Sequence, residues 1–143
     1  MSRGTSFPAV CLVPGEASGP LALLTHPLSL WGGFDPHTGR VTDENHPQCG
    51  LQIGGRVLLM PGGRGSSSSS SVLLESARLQ AHPSAIVLVE PDPILVVGAL
   101  VAADLYDVHI PVVSVAAAVL ARFEGAAEAR VDARPGHARV GFL

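Results

Sequence analysis

The sequence predicts an α/β domain that is rich in strands and carries its helices packed on one side. Short apolar runs bounded by glycine or proline are typical of strands. Two longer segments repeat apolar residues at the three-to-four spacing of helices. The last two strand candidates flank residues 134–137, a turn-like connection that indicates a terminal hairpin. Strands and helices mixed in this way favour one layered domain.

The predicted elements follow one another closely along the chain. The strand candidates are residues 10–13, 21–25, 51–60, 85–89, 110–115, 128–132 and 138–142. The helix candidates are residues 68–80, 94–106 and 117–123. Residues 27–50 form a long loop. A chain of 143 residues is expected to be a single domain over residues 1–143.

Composition excludes several classes of function. A net charge of -3 without a basic cluster argues against a nucleic-acid partner. The apolar run at residues 94–103 is shorter than the roughly 20 residues that cross a bilayer, so no membrane association is expected. Residues 7–13 are too short and proline-broken for a signal peptide, which favours the cytoplasm. Charged residues make up only 15% of the chain, which leaves apolar surface for a partner.

The two cysteines give no sign of a metal or redox motif. Cys11 and Cys49 are expected to be reduced thiols, and neither belongs to a Cys-x-x-Cys pair. Cys11 lies in an apolar strand pattern and is expected to pack in the core. Cys49 lies in a polar loop near His46, where a role in a site stays open. The cysteines therefore provide no metal-binding motif, and the favoured expectation is that this chain holds no metal.

The clearest functional signal lies at residues 61–71. Residues 61–65 read Pro-Gly-Gly-Arg-Gly, and six serines follow before an apolar helical pattern. Glycines permit close approach of the main chain to a ligand, and a helix start presents free N–H groups. Arg64 adds a guanidinium that can hold a carboxylate or phosphate. This segment therefore predicts a site for a small anion.

Two other interpretations of residues 61–71 remain open. A stretch rich in glycine and serine is often a flexible linker. A P-loop is a poor match, because its pattern requires a lysine and this chain has none. The run enters an apolar pattern directly, which favours the anion site over a linker.

The long loop at residues 27–50 is a second candidate. It holds the only tryptophan, and loops of this length in compact domains are usually functional or disordered. Its aromatic residues argue against disorder. One hypothesis makes His37, Asp43 and His46 metal ligands, although their spacing matches no known pattern. A second gives Asp43 or Asn45 a role in satisfying loop backbone. A third places Trp31 and Phe34 at a protein contact.

Taken in order, these motifs closely resemble the small subunit of the aconitase X family. The resemblance covers nearly the whole chain and is therefore more specific than any one motif. The matching segments are Pro14-Gly15-Glu16, Ser29-Leu30-Trp31-Gly32-Gly33-Phe34-Asp35, Thr38-Gly39, His46-Pro47, Gly63-Arg64-Gly65-Ser66-Ser67, Glu90-Pro91-Asp92-Pro93-Ile94 and Ile110-Pro111-Val112-Val113.

The resemblance implies a swivelling β/β/α domain that works when docked on a large subunit. That subunit is expected to carry an iron-sulfur cluster, so no cofactor is expected on this chain. The family comprises dehydratases. Its bacterial members typically act on cis-3-hydroxy-L-proline, and its archaeal members act on mevalonate 5-phosphate. The serine after Gly-Arg-Gly is the family's proton acceptor, which makes Ser66 the expected catalytic residue.

The sequence thus predicts a hydro-lyase subunit that is inactive without its large subunit. Ser66 is the expected base, and Arg64, Gly65 and Ser67 are the expected substrate-binding residues for a small carboxylate. The favoured substrate is cis-3-hydroxy-L-proline, with mevalonate 5-phosphate as the alternative. From other classes, a non-catalytic swivelling binding domain and a phosphohistidine carrier remain. The carrier hypothesis depends on His82, which precedes an apolar strand.

Overall fold

The computed structural model describes residues 4–142 and contains two strand layers and a helical layer. Seven strands form a closed ring in the order β1-β7-β6-β5-β2-β8-β9, and β3 and β4 form a separate small sheet. The elements are β1 Thr5–Val13, β2 Gly15–Leu23, α1 Leu30–Gly33, β3 Phe34–Asp35, β4 Arg40–Val41, β5 Val57–Met60, α2 Ser69–Arg78, β6 Ala85–Leu88, α3 Pro93–Tyr106, β7 Val112–Ser114, α4 Ala117–Arg122, β8 Glu128–Ala133 and β9 Ala138–Phe142.

The parallel layer separates two apolar cores. β5 pairs in parallel with β2 and β6, and β6 pairs in parallel with β7. Every residue of β5 and β6 is buried, because successive side chains enter opposite cores. Leu58 and Met60 pack with α2 and α3 in one core, whereas Val57 and Leu59 belong to the other. The crossovers through α2 and α3 join parallel strands.

The antiparallel layer covers the second core. β1 pairs with β9, β9 with β8, and β8 with β2, all antiparallel. Alternate residues of β8, such as Ala129 and Val131, are buried, while the residues between them are mostly exposed. The rings of Phe7, Phe123 and Phe142 pack together in this core. The molecule is therefore layered β/β/α, which confirms the predicted fold class.

Most predicted strands are present, and two are longer than expected. The strands predicted at 85–89, 110–115, 128–132 and 138–142 are found with similar bounds, and the terminal hairpin forms between β8 and β9. β1 begins at Thr5 and β2 at Gly15, well before the predicted starts. Apart from Phe7, which packs in the second core, the added residues are polar, small or proline because one side of this layer faces solvent.

The strand predicted over residues 51–60 is wrong in its first half. Only Val57–Met60 is a strand, residues 54–56 form a turn, and Gln52 makes an isolated antiparallel bridge to Arg40. Gly55 has φ 75°, a left-handed conformation that a continuous strand does not use. Residues 51–53 bond to the small sheet instead, as in the bond from the Val41 N–H to the Leu51 carbonyl at 3.0 Å. The turn at Gly54-Gly55 therefore separates residues 51–53, which bond to the small sheet, from β5.

All three predicted helices form. α2 and α3 pack against each other and on the parallel layer, and α3 is capped by the Asp92 carboxylate, which accepts a bond from the Ile94 N–H at 2.9 Å. The third helix, α4, packs its partly buried Val119 and Leu120 against the core between the strand layers.

The helices of the described part of the chain are short. Among residues 4–142, none has both the length and the apolar character needed to cross a membrane.

Candidate functional site

Residues 61–68, here called the serine loop, connect the carboxyl end of β5 to α2. The loop after β6 lies beside it, because the N–H groups of Val89 and Glu90 both donate to the Pro61 carbonyl, at 3.2 and 3.0 Å. Carboxyl ends of parallel strands, where helices begin, are the usual ligand-binding edge of such sheets. The serine loop therefore occupies the edge at which a site is expected.

A short bridge joins the serine loop to the long loop. The Leu28 N–H donates to the Gly62 carbonyl, and the Arg64 N–H donates to the Leu28 carbonyl, each at 3.3 Å. These bonds fix residues 28 and 29 alongside residues 62–64. Ser29 is brought next to the serine loop, although 35 positions separate it from Arg64.

Gly63 and Gly65 of the serine loop disfavour a side chain for different physical reasons. A Cβ at Gly63 would collide with the carboxylate of Asp92, the residue that caps α3. Gly65 has open space around its Cα, but its φ of 70° is in the left-handed region. The first glycine permits close packing of two loops, and the second permits the turn that presents Ser66.

Ser66 is half-buried at the start of α2. Its Oγ accepts a hydrogen bond from the Ser68 N–H at 3.1 Å, and its carbonyl accepts from the Ser69 N–H at 3.1 Å. An N–H directed at the hydroxyl oxygen stabilises negative charge there, and the helix N-terminus acts in the same direction. Ser68, the N-cap residue, makes no side-chain cap bond. The serine run thus supplies, at Ser66, a hydroxyl whose oxygen accepts a backbone N–H.

A cavity of about 510 Å³ opens beside this hydroxyl. The serine loop contributes three of its lining residues, and the long loop contributes the rest. Arg64, Gly65 and Ser66 were predicted from sequence as site residues, and the structure brings them together here. Ser67 was predicted with them, but it is exposed and is not part of the lining. The lining consists of Ser29, Asp43, Asn45, Arg64, Gly65 and Ser66.

The cavity contains one cation and one anion that do not pair with each other. Arg64 is exposed, and no ion pair among residues 4–142 includes Arg64 or Asp43. One carboxylate oxygen of Asp43 accepts a bond from the Asn45 N–H at 2.9 Å. This turn confirms the predicted role of Asp43 in satisfying loop backbone. Both charges remain available to a ligand.

The long loop is held in place by a buried histidine. His46 is 6% exposed, its Nδ1 accepts from the Gln48 N–H at 3.0 Å, and its Nε2 lies 3.0 Å from the His26 carbonyl. Since an N–H faces Nδ1, the ring proton belongs on Nε2, which donates to His26. Sequence reasoning did not assign Ser29, Asp43 and Asn45 to this cavity, and only the turn pattern at Asp43 signalled an ordered segment.

The structure does not support the metal hypothesis for the long loop. Both ring nitrogens of His46 are occupied by backbone groups. His37 is exposed and lies 3.3 Å from Asp35, whose pKa is lowered first by the bond that the His37 N–H donates to it. Within residues 4–142, no group of three or more His, Cys, Asp or Glu side chains could hold a metal ion.

The two aromatic residues of the long loop have different environments. Phe34 is 4% exposed and packs in the core shared with α2 and α3, which corrects its assignment to a docking surface. Trp31 is 61% exposed. The backbone N–H of Trp31 donates to the Ser69 hydroxyl oxygen at 3.3 Å. The backbone carbonyl of Trp31 accepts a bond from the hydroxyl of Ser29, a lining residue of the cavity. Trp31 therefore lies at the rim of the site.

His82 and the cysteines lie outside the cavity. His82 follows α2 and precedes β6, so it lies at the opposite end of the parallel strands from the serine loop. Burial lowers its pKa, and its Nδ1 is buried with no partner among the described residues. A carrier histidine is expected at the ligand-binding edge, so a position at the opposite end of the strands argues against the carrier hypothesis. Cys11 is half-buried and Cys49 is exposed, and burial raises the pKa of the Cys11 thiol.

Comparisons with known proteins find similar sequences over most of the chain. A sequence model of the aconitase X swivel domain matches residues 6–140. The chain is 48% identical over 101 residues to a cis-3-hydroxy-L-proline dehydratase of Pseudomonas aeruginosa, which covers 71% of this chain but only 17% of that protein. It is 40% identical to the phosphomevalonate dehydratase small subunit of Methanothermobacter thermautotrophicus, over 87% of this chain and 92% of that protein.

The fold is also similar to solved structures. The crystal structure of Thermococcus kodakaraensis aconitase X in its holo-form superposes with a TM-score of 0.81 at 31% identity, covering 98% of this chain and 99% of that one. A solution NMR structure of a UPF0107 protein superposes with a TM-score of 0.78 at 30% identity, covering 97% and 99%.

Proposed function

Because this chain belongs to the aconitase X swivel domain family, we propose that it is the small subunit of an aconitase-superfamily dehydratase. Ser66 is the base, and Arg64 and Gly65 form the substrate-binding part of the serine loop, with Ser67 next to them. Residues 1–143 act as one swivel module in the cytoplasm. The observation that carries the proposal is the Ser66 hydroxyl, which accepts an N–H bond at the edge of a polar cavity beside the unpaired Arg64.

The reaction is elimination of water from a hydroxy acid. Arg64 binds the substrate carboxylate, and Ser66 removes the proton from the carbon next to that carboxylate. The electron pair of the broken C–H bond forms a carbon–carbon double bond as the C–O bond of the neighbouring carbon breaks. The hydroxyl leaves with the C–O electron pair and takes up one proton from solvent to become water, and Ser66 returns to solvent the proton that it removed.

A serine hydroxyl is a weak base and needs more help than this chain alone provides. The helix N-terminus contributes at most about 2 kcal/mol. The Ser68 N–H adds a donor to the same oxygen. The cavity is open to solvent along Arg64 and Gly65, which are both exposed, so the charges act through water until a second surface covers them. We therefore expect the isolated chain to be inactive.

That second surface is a large subunit. The Methanothermobacter relative is named a small subunit and has nearly the length of this chain, and the Pseudomonas relative carries the matching segment within a much longer protein. The described residues of this chain offer no ligand set for a cluster, so we place the iron-sulfur cluster on the large subunit. Bound there, it would act as a Lewis acid toward the leaving hydroxyl.

We propose cis-3-hydroxy-L-proline as the substrate and mevalonate 5-phosphate as the alternative. The Pseudomonas relative at 48% identity is named for the first, and the Methanothermobacter relative at 40% for the second. A phosphorylated substrate needs several cations, and Arg64 is the only one in the cavity lining. The nine arginines without a lysine are typical of a GC-rich bacterial genome, which also favours the first substrate.

A non-catalytic binding domain is the proposal from another class. The test is to combine this chain with its own large subunit and to measure dehydration of both candidate substrates by the pair and by each part alone. Turnover of cis-3-hydroxy-L-proline by the pair only is the expected result. Turnover of mevalonate 5-phosphate alone would favour the alternative substrate, and a stable pair without turnover of either would favour a binding role.

A further inference from the structure

The cavity is lined by one cationic and one anionic side chain. Arg64 and Asp43 line the same cavity of about 510 Å³ and make no ion pair with each other. Because the two opposite charges do not pair with each other, each can bind a group of opposite charge on a ligand. A ligand that carries only negative charge would satisfy Arg64 and be repelled by Asp43.

We infer that Asp43 determines specificity by binding the ammonium group of a zwitterionic amino-acid substrate, while Arg64 holds its carboxylate. This inference rests on the proposed dehydratase function and deepens it. It assigns the substrate to the class of hydroxy amino acids with a free ammonium, and it separates that class from the phosphorylated hydroxy acids. Asp43 contacts the ligand but does not move the proton that Ser66 removes.

The local structure prepares Asp43 for this task. One carboxylate oxygen, Oδ1, accepts from the Asn45 N–H at 2.9 Å, and no described residue donates to the other. The Asp43 carbonyl also accepts from the His46 N–H at 3.0 Å. An ordered carboxylate with one free oxygen loses little conformational freedom when it binds a cation. A bond between that oxygen and an N–H of an ammonium is charge-assisted and strong.

The long loop keeps this carboxylate at the cavity. The His46 ring is tied to backbone groups at residues 26 and 48, so the turn that carries Asp43 is anchored on the core. At the other end, the Thr42 N–H donates to the Gly33 carbonyl at 2.9 Å. Asp43 is therefore held from both sides.

The test compares two ligands that differ in a single group. L-proline and (S)-tetrahydrofuran-2-carboxylate share ring size and carboxylate, but the second has an ether oxygen where the first has an ammonium. Calorimetric titration of the assembled dehydratase with each ligand gives a preference ratio without requiring turnover. We expect the wild type to prefer L-proline, and Asp43→Asn to reduce that preference at least about tenfold, the loss typical of a charged hydrogen bond.

Two further variants control this experiment. Glu44→Gln removes a negative charge from the adjacent exposed residue outside the cavity lining and should keep the wild-type preference. Asp43→Glu keeps the charge and should retain part of the preference, which would attribute the loss in Asp43→Asn to the missing negative charge. A wild type that binds both ligands equally, or an Asp43→Asn variant with an unchanged preference, would overturn the inference. A wild type that prefers L-proline but dehydrates neither candidate substrate would support the inference and contradict the proposed function.

Discussion

The serine loop and the long loop contribute equally to one cavity but are encoded in different ways. The serine loop places three consecutive residues, 64–66, in the lining, directly before a helix. The long loop contributes Ser29, Asp43 and Asn45, which come together only because a backbone bridge, a small sheet and a buried histidine fold it. Functional residues that are contiguous can therefore be recognised from sequence, whereas binding groups distributed along a loop come together only in the fold.

We expect the two loops to have different roles: the serine loop removes the proton, and the long loop selects the substrate and the partner. The variant with the largest expected effect is Ser66→Ala, which tests the role of the serine loop. We expect kcat of the assembled enzyme to fall at least about a hundredfold, the lower range for a positioned proton-transfer group. Subunit association should be unchanged, because Ser66 makes its side-chain bond only within the serine loop.

Ser71→Ala is the matched control for this variant. Ser71 belongs to the same serine run but is exposed on α2, outside the cavity lining. It should keep kcat within about threefold of the wild type, since surface substitutions usually have small effects. Equal and small losses at both positions would show that the serine run serves only as a linker or helix start.

The next largest effect is expected at the rim of the long loop, with Trp31→Ala. An aromatic side chain that becomes buried at an interface commonly costs about 2 kcal/mol or more on truncation. Since Trp31 is 61% exposed in this chain, its removal should weaken binding to the large subunit and leave the unfolding free energy nearly unchanged. Affinity by calorimetry and stability by urea unfolding separate the two effects.

Leu105→Ala provides a comparison of similar exposure on α3, where Leu105 is 59% exposed. It lies near the carboxyl end of α3, whereas the other end of that helix adjoins the serine loop. Weakened association in Leu105→Ala with normal association in Trp31→Ala would move the docking surface away from the cavity rim and along α3.

A smaller effect is expected for Arg64→Lys, which tests whether the serine loop binds the substrate carboxylate. Arg64→Lys keeps the charge but loses the planar pair of donors that fits a carboxylate. We expect kcat/KM to fall about tenfold, as for loss of one charged hydrogen bond. Arg40→Lys is the control, because Arg40 is exposed and bonds the Gly50 carbonyl outside the cavity lining. Wild-type kinetics in Arg64→Lys would remove Arg64 from the site.

The elements of the fold that could be predicted are those whose pattern is local. Apolar runs ended by glycine or proline identified β5 and β6, and the Asp92-Pro93 pair begins α3 close to the predicted start. The early parts of β1 and β2 were missed because they contain Pro8, Gly19 and Pro20 among polar residues. In this layer one side faces solvent, so polar residues and prolines with outward positions are tolerated there.

The site residues also divide into those that a local sequence pattern predicts and those that it does not. Arg64, Gly65 and Ser66 follow a strand and precede a helix, so their proximity was predictable. Asp43 reaches them through contacts of high sequence separation, such as the pairing of Leu28 with Gly63, which leave no local pattern. Phe34 was misassigned for a related reason, because its burial depends on a core completed by distant helices.

The most direct test of the central claim measures removal of the substrate proton itself. cis-3-hydroxy-L-proline carrying tritium on the carbon next to the carboxylate is bound to the assembled enzyme, and release of tritium to water is followed in one turnover. We predict that the wild type releases tritium as it forms product and that Ser66→Ala, with normal binding of L-proline, releases it at least about a hundredfold more slowly. Release by Ser66→Ala at the wild-type rate would contradict the assignment of Ser66 as the base.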